Sequence, residues 1–258
     1  MATTHSDPTK RFSNRVENYV KFRPSYPSEV IDLLKRECGL GPGRNVADVG
    51  SGTGILTKLL LQTGANVFAV EPNREMRVAG EAHCAGMPGF RSIAASAEDT
   101  TLPDASMNIV IAGQAFHWFN AEQSRDEFSR ILLPRGWVVL IWNDRHVDTT
   151  PFLRAYEEIL AKYGTDYADV KHRGHKIQGH DAFFGSGQYK MATFPNEQMF
   201  DWESFLGRVL SSSYVPQEGH PSFESMLTEL RAIYTKYQES DRVKFTYTTE
   251  VFYGQLEA

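Results

Sequence analysis

Cysteine is scarce in this chain: Cys38 and Cys84 are the only two among 258 residues. Two thiols build no disulfide framework, and their separation matches no metal-ligand spacing. Both fall in stretches that read as helical, so free thiols in a reducing compartment are expected, and with them a cytoplasmic location. Long apolar runs are missing too. No stretch approaches the ~20 residues that a membrane span requires, and the opening MATTHSDPTKRF lacks the apolar core of a secretory signal. Positive charge is in deficit: 27 Lys and Arg face 32 Asp and Glu, a formal net charge of −5. That balance argues against nucleic acid or an anionic membrane as a partner. No internal repeat, low-complexity tract or signal of oligomeric state is visible.

What is present is an ordinary globular composition, 41% hydrophobic and 23% charged, in a chain long enough for one large domain. Short apolar runs at 45–49, 65–70, 90–95, 107–112 and 136–142 read as strands. Between them GILTKLLLQTG, NREMRVAGEAHCAG and AEQSRDEFSRILLPRG repeat apolar residues at three- and four-residue spacing, as helices do. A further amphipathic helix starts after Pro27. This alternation predicts an α/β fold with a parallel sheet and helices on both faces. Right-handed crossovers then put every loop that follows a strand on one edge, where ligands bind.

Beyond Trp142 the rhythm changes. Helices are expected at 151–163, 200–212 and 221–239, a polar Gly-rich stretch at 165–187, and strands at 188–194 and 244–254. The expected organisation is one domain. Residues 28–145 form the core, 146–243 a helical cap or insertion with one sheet strand, and 244–258 the final strand.

VADVGSGTGIL carries Asp48 followed by Gly50, Gly52 and Gly54. Small residues at a strand end let a ligand approach the backbone, and the next helix offers free N–H groups. The loop fails the dinucleotide fingerprint, because Ile55 stands where the third glycine belongs, and it lacks the lysine of a phosphate loop. Asp48 would repel a pyrophosphate but suits a ligand with an ammonium group, such as S-adenosylmethionine. Alone, the loop is as compatible with a tight turn as with a ligand. The second strand ends in Glu71, where an acid accepts from both hydroxyls of a ribose; alone, Glu71 reads as a helix-start carboxylate. After the third strand come Ala97, Glu98 and Asp99. A carboxylate there suits an adenine amino group, and Ala97 leaves room for the ring; a turn or cap is the competing reading of Asp99.

Together DVGSGTG, EPN, SAEDTTLPDASMNIVIAGQAFHWF and SRILLPRGWVVLIWND resemble the class I S-adenosylmethionine-dependent methyltransferases, within them the methyltransferase type 11 subgroup, similar to trans-aconitate methyltransferases. The motifs span residues 12 to 145, and FTYTTEVFYG resembles the family's last strand. The resemblance implies a Rossmann-like sheet of seven strands, mostly parallel with an antiparallel last strand. It implies Asp48, Gly50, Ser51, Gly52 and Gly54 on the methionine side of the cofactor, and Glu71 with Pro72 at the ribose. Ala97 and Glu98 would flank adenine, with Gln114, Ala115 and Trp118 lining the pocket after the fourth strand. No Asn-Pro-Pro-Tyr/Phe motif follows that strand, which disfavours amide and exocyclic-amine substrates on nucleic acid or protein. RFSNRVENYVKFRPSYP also resembles the subgroup. Its Arg15, Tyr19, Arg23 and Tyr26 fall near i, i+3 and i+4 spacing, so one helical face would present them. Residues 1–27 then form a lid, with Tyr19 and Arg23 at the cofactor; a solvated basic helix packed by its tyrosines competes with that reading.

Methyl transfer is an in-line displacement, and positioning alone supplies roughly 7–11 kcal/mol of such a barrier. A carboxylate acceptor needs no base, whereas a hydroxyl or amine does. In GQAFHWFN, His117 is the candidate base, and a pocket wall is its competing role; Trp118 offers a π face to a cation. His172, His175 and His180 fit no standard metal site, so no metal is expected. Trp142, Asn143 and Asp144, at the end of the fifth strand, are either substrate contacts or a plain turn. The expected function is transfer of a methyl group from S-adenosylmethionine to a small-molecule acceptor, at a carboxylate or hydroxyl oxygen. The alternatives are a methyltransferase of a macromolecule, a non-catalytic S-adenosylmethionine-binding protein and, most distantly, a nicotinamide oxidoreductase.

Overall fold

The computed structural model describes residues 16–167, 183–185 and 188–256. Eight helices are described: α1 Val16–Phe22, α2 Ser28–Cys38, α3 Ile55–Leu61, α4 Arg74–His83, α5 Ala121–Ile131, α6 Pro151–Tyr163, α7 Trp202–Leu210 and α8 Phe223–Tyr237. The strands are β1 Asn45–Val49, β2 Asn66–Val70, β3 Phe90–Ile93, β4 Met107–Gly113, β5 Leu132–Arg145, β6 Tyr189–Phe200 and β7 Val243–Gly254.

Side-chain caps start the core and cap helices where the sequence supplies them. Asn73 accepts from the N–H of Met76 at α4, Asn120 from Gln123 at α5, Thr150 from Leu153 at α6 and Asp201 from Ser204 at α7. The single seven-stranded sheet has the order β3-β2-β1-β4-β5-β7-β6. β1 to β5 are parallel, and β7 is antiparallel to both β5 and β6. The last strand therefore runs against the other six. Strand order reverses beside β1, between β2 and β4, so a crevice opens past the ends of β1 and β4.

One face of the sheet buries Val30, Leu34, Leu56 and Leu60 from α2 and α3 against Val139, Ile141 and Val251. The other buries Phe128 and Ile131 of α5, with Phe183 and Phe184, against Val138, Leu140 and Phe252. A third cluster joins α6, α7 and α8 to Phe200, Phe245 and Tyr247 at the far ends of β6 and β7. That cluster is a helical cap, seated beyond the strand ends on the side where the loop after β1 lies. Among the described residues no helix is long and apolar enough to cross a membrane.

Three elements differ from the sequence expectation. β5 begins at Leu132, inside the stretch AEQSRDEFSRILLPRG read as helical, because Leu132 already pairs with Met107 of β4. β6 runs on through Pro195 to Phe200, paired throughout with β7; the missing N–H is tolerated because β6 is an edge strand. At the N-terminus the helix stops at Phe22, because Arg23 precedes Pro24 and is biased out of helical geometry. Arg15 lies outside the described residues, and Tyr26 reaches inward from an extended segment rather than from the face of α1.

α1 is held on the cap by a close approach. A Cβ on Gly207 of α7 would lie 2.1 Å from the Phe22 ring. Gly207→Ala gains about 1 kcal/mol of helix propensity, but it evicts a ring whose burial contributes roughly 2 kcal/mol. The expected result is an unchanged core melting transition with α1 released, read as new proteolytic cleavage within residues 16–24.

Candidate active site

The loop after β1 turns through left-handed conformations, with φ of 70° at Gly50 and 56° at Gly52. At Gly50 the space is closed as well: a Cβ would sit 2.5 Å from the Ala115 Cβ and 3.2 Å from the Phe119 ring. The N–H groups of Gly50 and Ser51 both donate to the Val70 carbonyl, at 2.9 and 3.1 Å. Glu71 completes the tether. One carboxylate oxygen accepts from Gly52 N–H at 2.9 Å and the other from Asn73 N–H at 2.8 Å. Burial pushes the Glu71 carboxyl up, against the pull of those two N–H groups. Asp48 is 1% exposed and accepts from Thr57 Oγ1 at 2.5 Å. Burial raises it to about 7, although the Thr57 hydroxyl pulls it down; the neighbouring Glu71 charge adds to the rise.

Across the crevice, β4 ends in Gly113 and Gln114. Gln114 is left-handed, φ 58°, without being glycine. Its N–H donates to the Ile141 carbonyl at 2.8 Å and its side-chain Nε2 to the Asn143 carbonyl at 3.1 Å. Two bonds to β5 hold a conformation that costs on the order of 1–3 kcal/mol. A single 3-10 turn, Phe116–Trp118, then carries His117 and Trp118, with ring centroids 4.8 Å apart. Phe116 faces away, edge-on to Phe183 at 4.7 Å, and closes the site from the α5 core.

A cavity of about 590 Å³ opens between these loops, the N-terminal segment and the cap. It brings together Tyr19, Arg23, Tyr26, Asp48, Gly50, Ser51, Gly52, Gln114, His117 and Trp118, along with Trp142, Asn143 and Asp144. Gly54, Glu71, Pro72, Ala97, Glu98 and Ala115 are not in its lining, each for a local reason. Gly54 caps α3 and packs on Gly80 and Cys84. Pro72 is exposed, and Ala97 is buried among Val49, Val70 and Ala112. Glu98 accepts from the Asn120 N–H at 2.8 Å, and Ala115 stands behind Gly50. Glu71 reaches the cavity only through Gly52. His172, His175 and His180 lie outside the described residues; among those described, no group of three His, Cys, Asp or Glu could hold a metal ion.

The cap wall holds Arg208, Tyr167 and Tyr214, which no sequence motif marks, together with Arg145 at the end of β5 and Tyr247, whose place in FTYTTEVFYG does not announce a site role. Arg145 pairs with Glu157 at 2.7 Å and donates to Tyr167 at 3.2 Å. Arg23 donates to the Ser211 carbonyl at 2.9 Å and lies over the Tyr19 ring at 4.8 Å. Arg208 is 5% exposed and donates to Ser212 Oγ at 3.1 Å. Burial, and next the adjacent Arg208 charge, hold Arg23 below the usual guanidinium range. Burial raises the Tyr214 phenol, but Arg145, Arg208 and Arg23 together pull it below an ordinary tyrosine. The legible trace of this wall is strand alternation: Asn143 and Arg145 on β5 are registered against Thr249 and Tyr247 on β7.

The fold and loop agree with known proteins. Residues 47–140 match the family model described as "Methyltransferase domain". An uncharacterized methyltransferase-like protein of Schizosaccharomyces pombe is 28% identical over 254 residues, 96% of each chain. An uncharacterized methyltransferase of Mycobacterium bovis is 34% identical over 169 residues, 66% of each chain. The chain carries a methyltransferase domain on the class I methyltransferase fold. A solved structure from Anaeromyxobacter dehalogenans, assigned as a type II methyltransferase, shares the fold with a TM-score of 0.66 at 21% identity, covering 92% of this chain and 100% of that one.

The cofactor of this methyltransferase is S-adenosylmethionine, and the residues present fit it. The glycine turn at Gly50 and Gly52 brings bare backbone to the cavity edge, Asp48 sets a carboxylate beside it, and Arg23 offers a guanidinium. Ammonium and carboxylate ends of an amino acid need such a pair.

Proposed function

We propose that this methyltransferase acts on a small molecule, at a carboxylate or hydroxyl oxygen, enclosed between the strand ends and the cap. The observation that supports it is the cavity itself, about 590 Å³ and walled by three separate parts of the chain. That size lies in the range of small-molecule sites, roughly 300–1,000 Å³. When bound, S-adenosylmethionine supplies a methyl group on a sulfonium, whose transfer to a nucleophile neutralises the sulfur. On this reading Asp48 holds the ammonium of its amino-acid end, and Arg23, with Tyr19 beside it, holds the carboxylate. Glu71 keeps the Gly50–Gly52 turn in shape and, with Pro72, serves the ribose; Ala97 and Glu98 serve adenine. Gln114 and Trp118 confine the reacting end of the acceptor, and the cap excludes water from it. His117 takes the proton of a hydroxyl acceptor; a carboxylate arrives ionised, and there His117 is a wall.

The test is direct. S-adenosylhomocysteine at about 100 times its Kd should stabilise the folded chain by ~2.7 kcal/mol, a rise in melting temperature of roughly 5–10 °C for this size, while NAD leaves it unchanged. A labelled-methyl screen should then find acceptors among small acids and alcohols. Label appearing only in RNA or protein overturns the small-molecule reading.

A further inference from the structure

Between α1 and α2 the chain runs Arg23-Pro24-Ser25-Tyr26-Pro27, and each proline biases the residue before it to extended geometry. The result is a short, stiff strap, of which Arg23, Pro24 and Tyr26 line the cavity. Among the described residues neither Ser25 nor Tyr26 makes a backbone–backbone hydrogen bond, so the strap's carbonyls have to find partners elsewhere. Side-chain amides from the sheet supply them. The Ser25 carbonyl accepts from Asn196 Nδ2 at 2.8 Å and from Asn143 Nδ2 at 3.2 Å, and the Phe22 carbonyl accepts from Gln198 Nε2 at 3.2 Å. Strand alternation puts Asn143 of β5 on the sheet face of Ile141, and Asn196 and Gln198 of β6 on the same face with Phe194. Asn143 is the member of this set that also supports the turn after β4. Its Oδ1 accepts from Thr249 Oγ1 at 2.5 Å and from Asn196 Nδ2 at 3.1 Å, while its main-chain carbonyl accepts from Gln114 Nε2 at 3.1 Å. A carbonyl can only accept, so Ser25 fixes which end of the Asn143 amide is nitrogen. The strap also touches β4 directly: a Cβ on Gly113, the residue before Gln114, would lie 2.5 Å from the Tyr26 hydroxyl.

We propose that Asn143 is a positioning residue for methyl transfer: it grips the strap by the Ser25 carbonyl and so keeps Arg23 and Tyr26 at the cavity. The assignment rests on the methyltransferase reading above, in which Arg23 serves the cofactor's carboxylate. Arg23 lies two residues before Ser25 and Tyr26 one after it, in a segment stiffened by two prolines, so a slip at Ser25 is carried to both. At the cap end Arg23 is tied to the Ser211 carbonyl at 2.9 Å; Asn143 is the tie to the core strand that ends beside Gln114. A strap held by side-chain amides, not by a strand ladder, can detach to admit the cofactor without unpairing the sheet. Aspartate at this position separates the grip from the packing. It has the same shape and still accepts from Thr249 and Asn196, but it sets a carboxylate oxygen against the Ser25 carbonyl where an N–H stood. Protonation gives that oxygen a hydrogen to donate, and burial raises the pH at which this happens.

The experiment combines hydrogen exchange over residues 16–26 of the ligand-free full chain with calorimetric titration of S-adenosylhomocysteine. At pH 8, Asn143→Asp and Asn143→Ala should each speed exchange and weaken S-adenosylhomocysteine binding by about tenfold or more, as loss of a hydrogen bond with an orphaned partner does. Thr249→Val removes a bond to Asn143 and leaves the grip on Ser25 in place, so both measurements should stay within about twofold. Acidification to pH 5 supplies the signature. After correction for intrinsic rates, Asn143→Asp should regain most of the protection of the unaltered chain, and Asn143→Ala should regain none. Asp48, His117, Asp144 and Glu250, which also line the cavity, are common to both variants, so the difference between the two reports the new carboxyl. Unchanged exchange in Asn143→Asp and Asn143→Ala overturns the proposal. So does an equal effect of Thr249→Val, which would make packing of the amide the cause, or a pH response shared by Asn143→Asp and Asn143→Ala. Absence of S-adenosylhomocysteine binding by the unaltered chain would instead refute the site reading, while the exchange measurements still judge the grip.

Discussion

Gly50→Ala is expected to lower the melting temperature by roughly 5–20 °C and to abolish measurable binding of S-adenosylhomocysteine. Two costs add at this residue. A non-glycine residue held at φ 70° pays on the order of 1–3 kcal/mol. The new Cβ would stand 2.5 Å from the Ala115 Cβ with the Phe119 ring at 3.2 Å behind it, an overpacking that typically costs about 1–3 kcal/mol more. The sum, about 2–6 kcal/mol, is large against a total stability of about 5–15 kcal/mol, and each kcal/mol moves the transition by roughly 2–4 °C. Relief requires either the loop or the Gln114–Trp118 segment to move, and both line the cavity. Gly86→Ala is the control: φ there is 75° with open space around the position, so it carries the strain without the collision. Thermal melts and calorimetric titration of the two variants separate the terms. If Gly50→Ala melts and binds like Gly86→Ala, closeness to Ala115 is not what keeps this residue a glycine.

Legibility in this chain follows locality. NVADV and MNIVIAG announce buried parallel strands because both faces are covered and no alternation is needed. The loop between Asp48 and Gly54 is readable because turn, carboxylate and helix start are contiguous. Where a local signal meets a tertiary exception, reading falters. Pro195 looks like the end of a strand, yet an edge position lets β6 continue. Tyr26 looks like the next rung of a helix, although Pro24 has already ended it. Glu71 is conspicuous as an acid after a strand, but its bonds to Gly52 and Asn73 depend on how two loops meet. The cap wall is the extreme case. Arg145, Arg208 and Tyr247 come from three elements and share no spacing, and only the β5–β7 register and the packing of α1 on α7 bring them together.

Asp48 should give the free protein and its complex opposite responses to pH. Its carboxyl titrates at about 7 in the folded chain, raised chiefly by burial, against ~3.9 when unfolded. A raised folded value means that the protonated form is the favoured native one. The associated stability is full below pH ~4 and is lost as pH rises through about 7. Between pH 6 and pH 8 the ligand-free chain should lose about 1.4 kcal/mol from this group, the equivalent of one pKa unit. Binding runs the other way. The ammonium of the cofactor's amino-acid end needs the ionised carboxylate, so affinity for S-adenosylhomocysteine should rise about tenfold from pH 6 to pH 8 and level off above. His117 lines the same cavity, so the decisive quantity is the difference between the unaltered chain and Asp48→Asn. The amide should keep the Thr57 hydroxyl bonded, bind S-adenosylhomocysteine at least tenfold more weakly at pH 8, and flatten both pH profiles. A binding profile equally steep in Asp48→Asn would assign the proton to another group and remove Asp48 from the ammonium site.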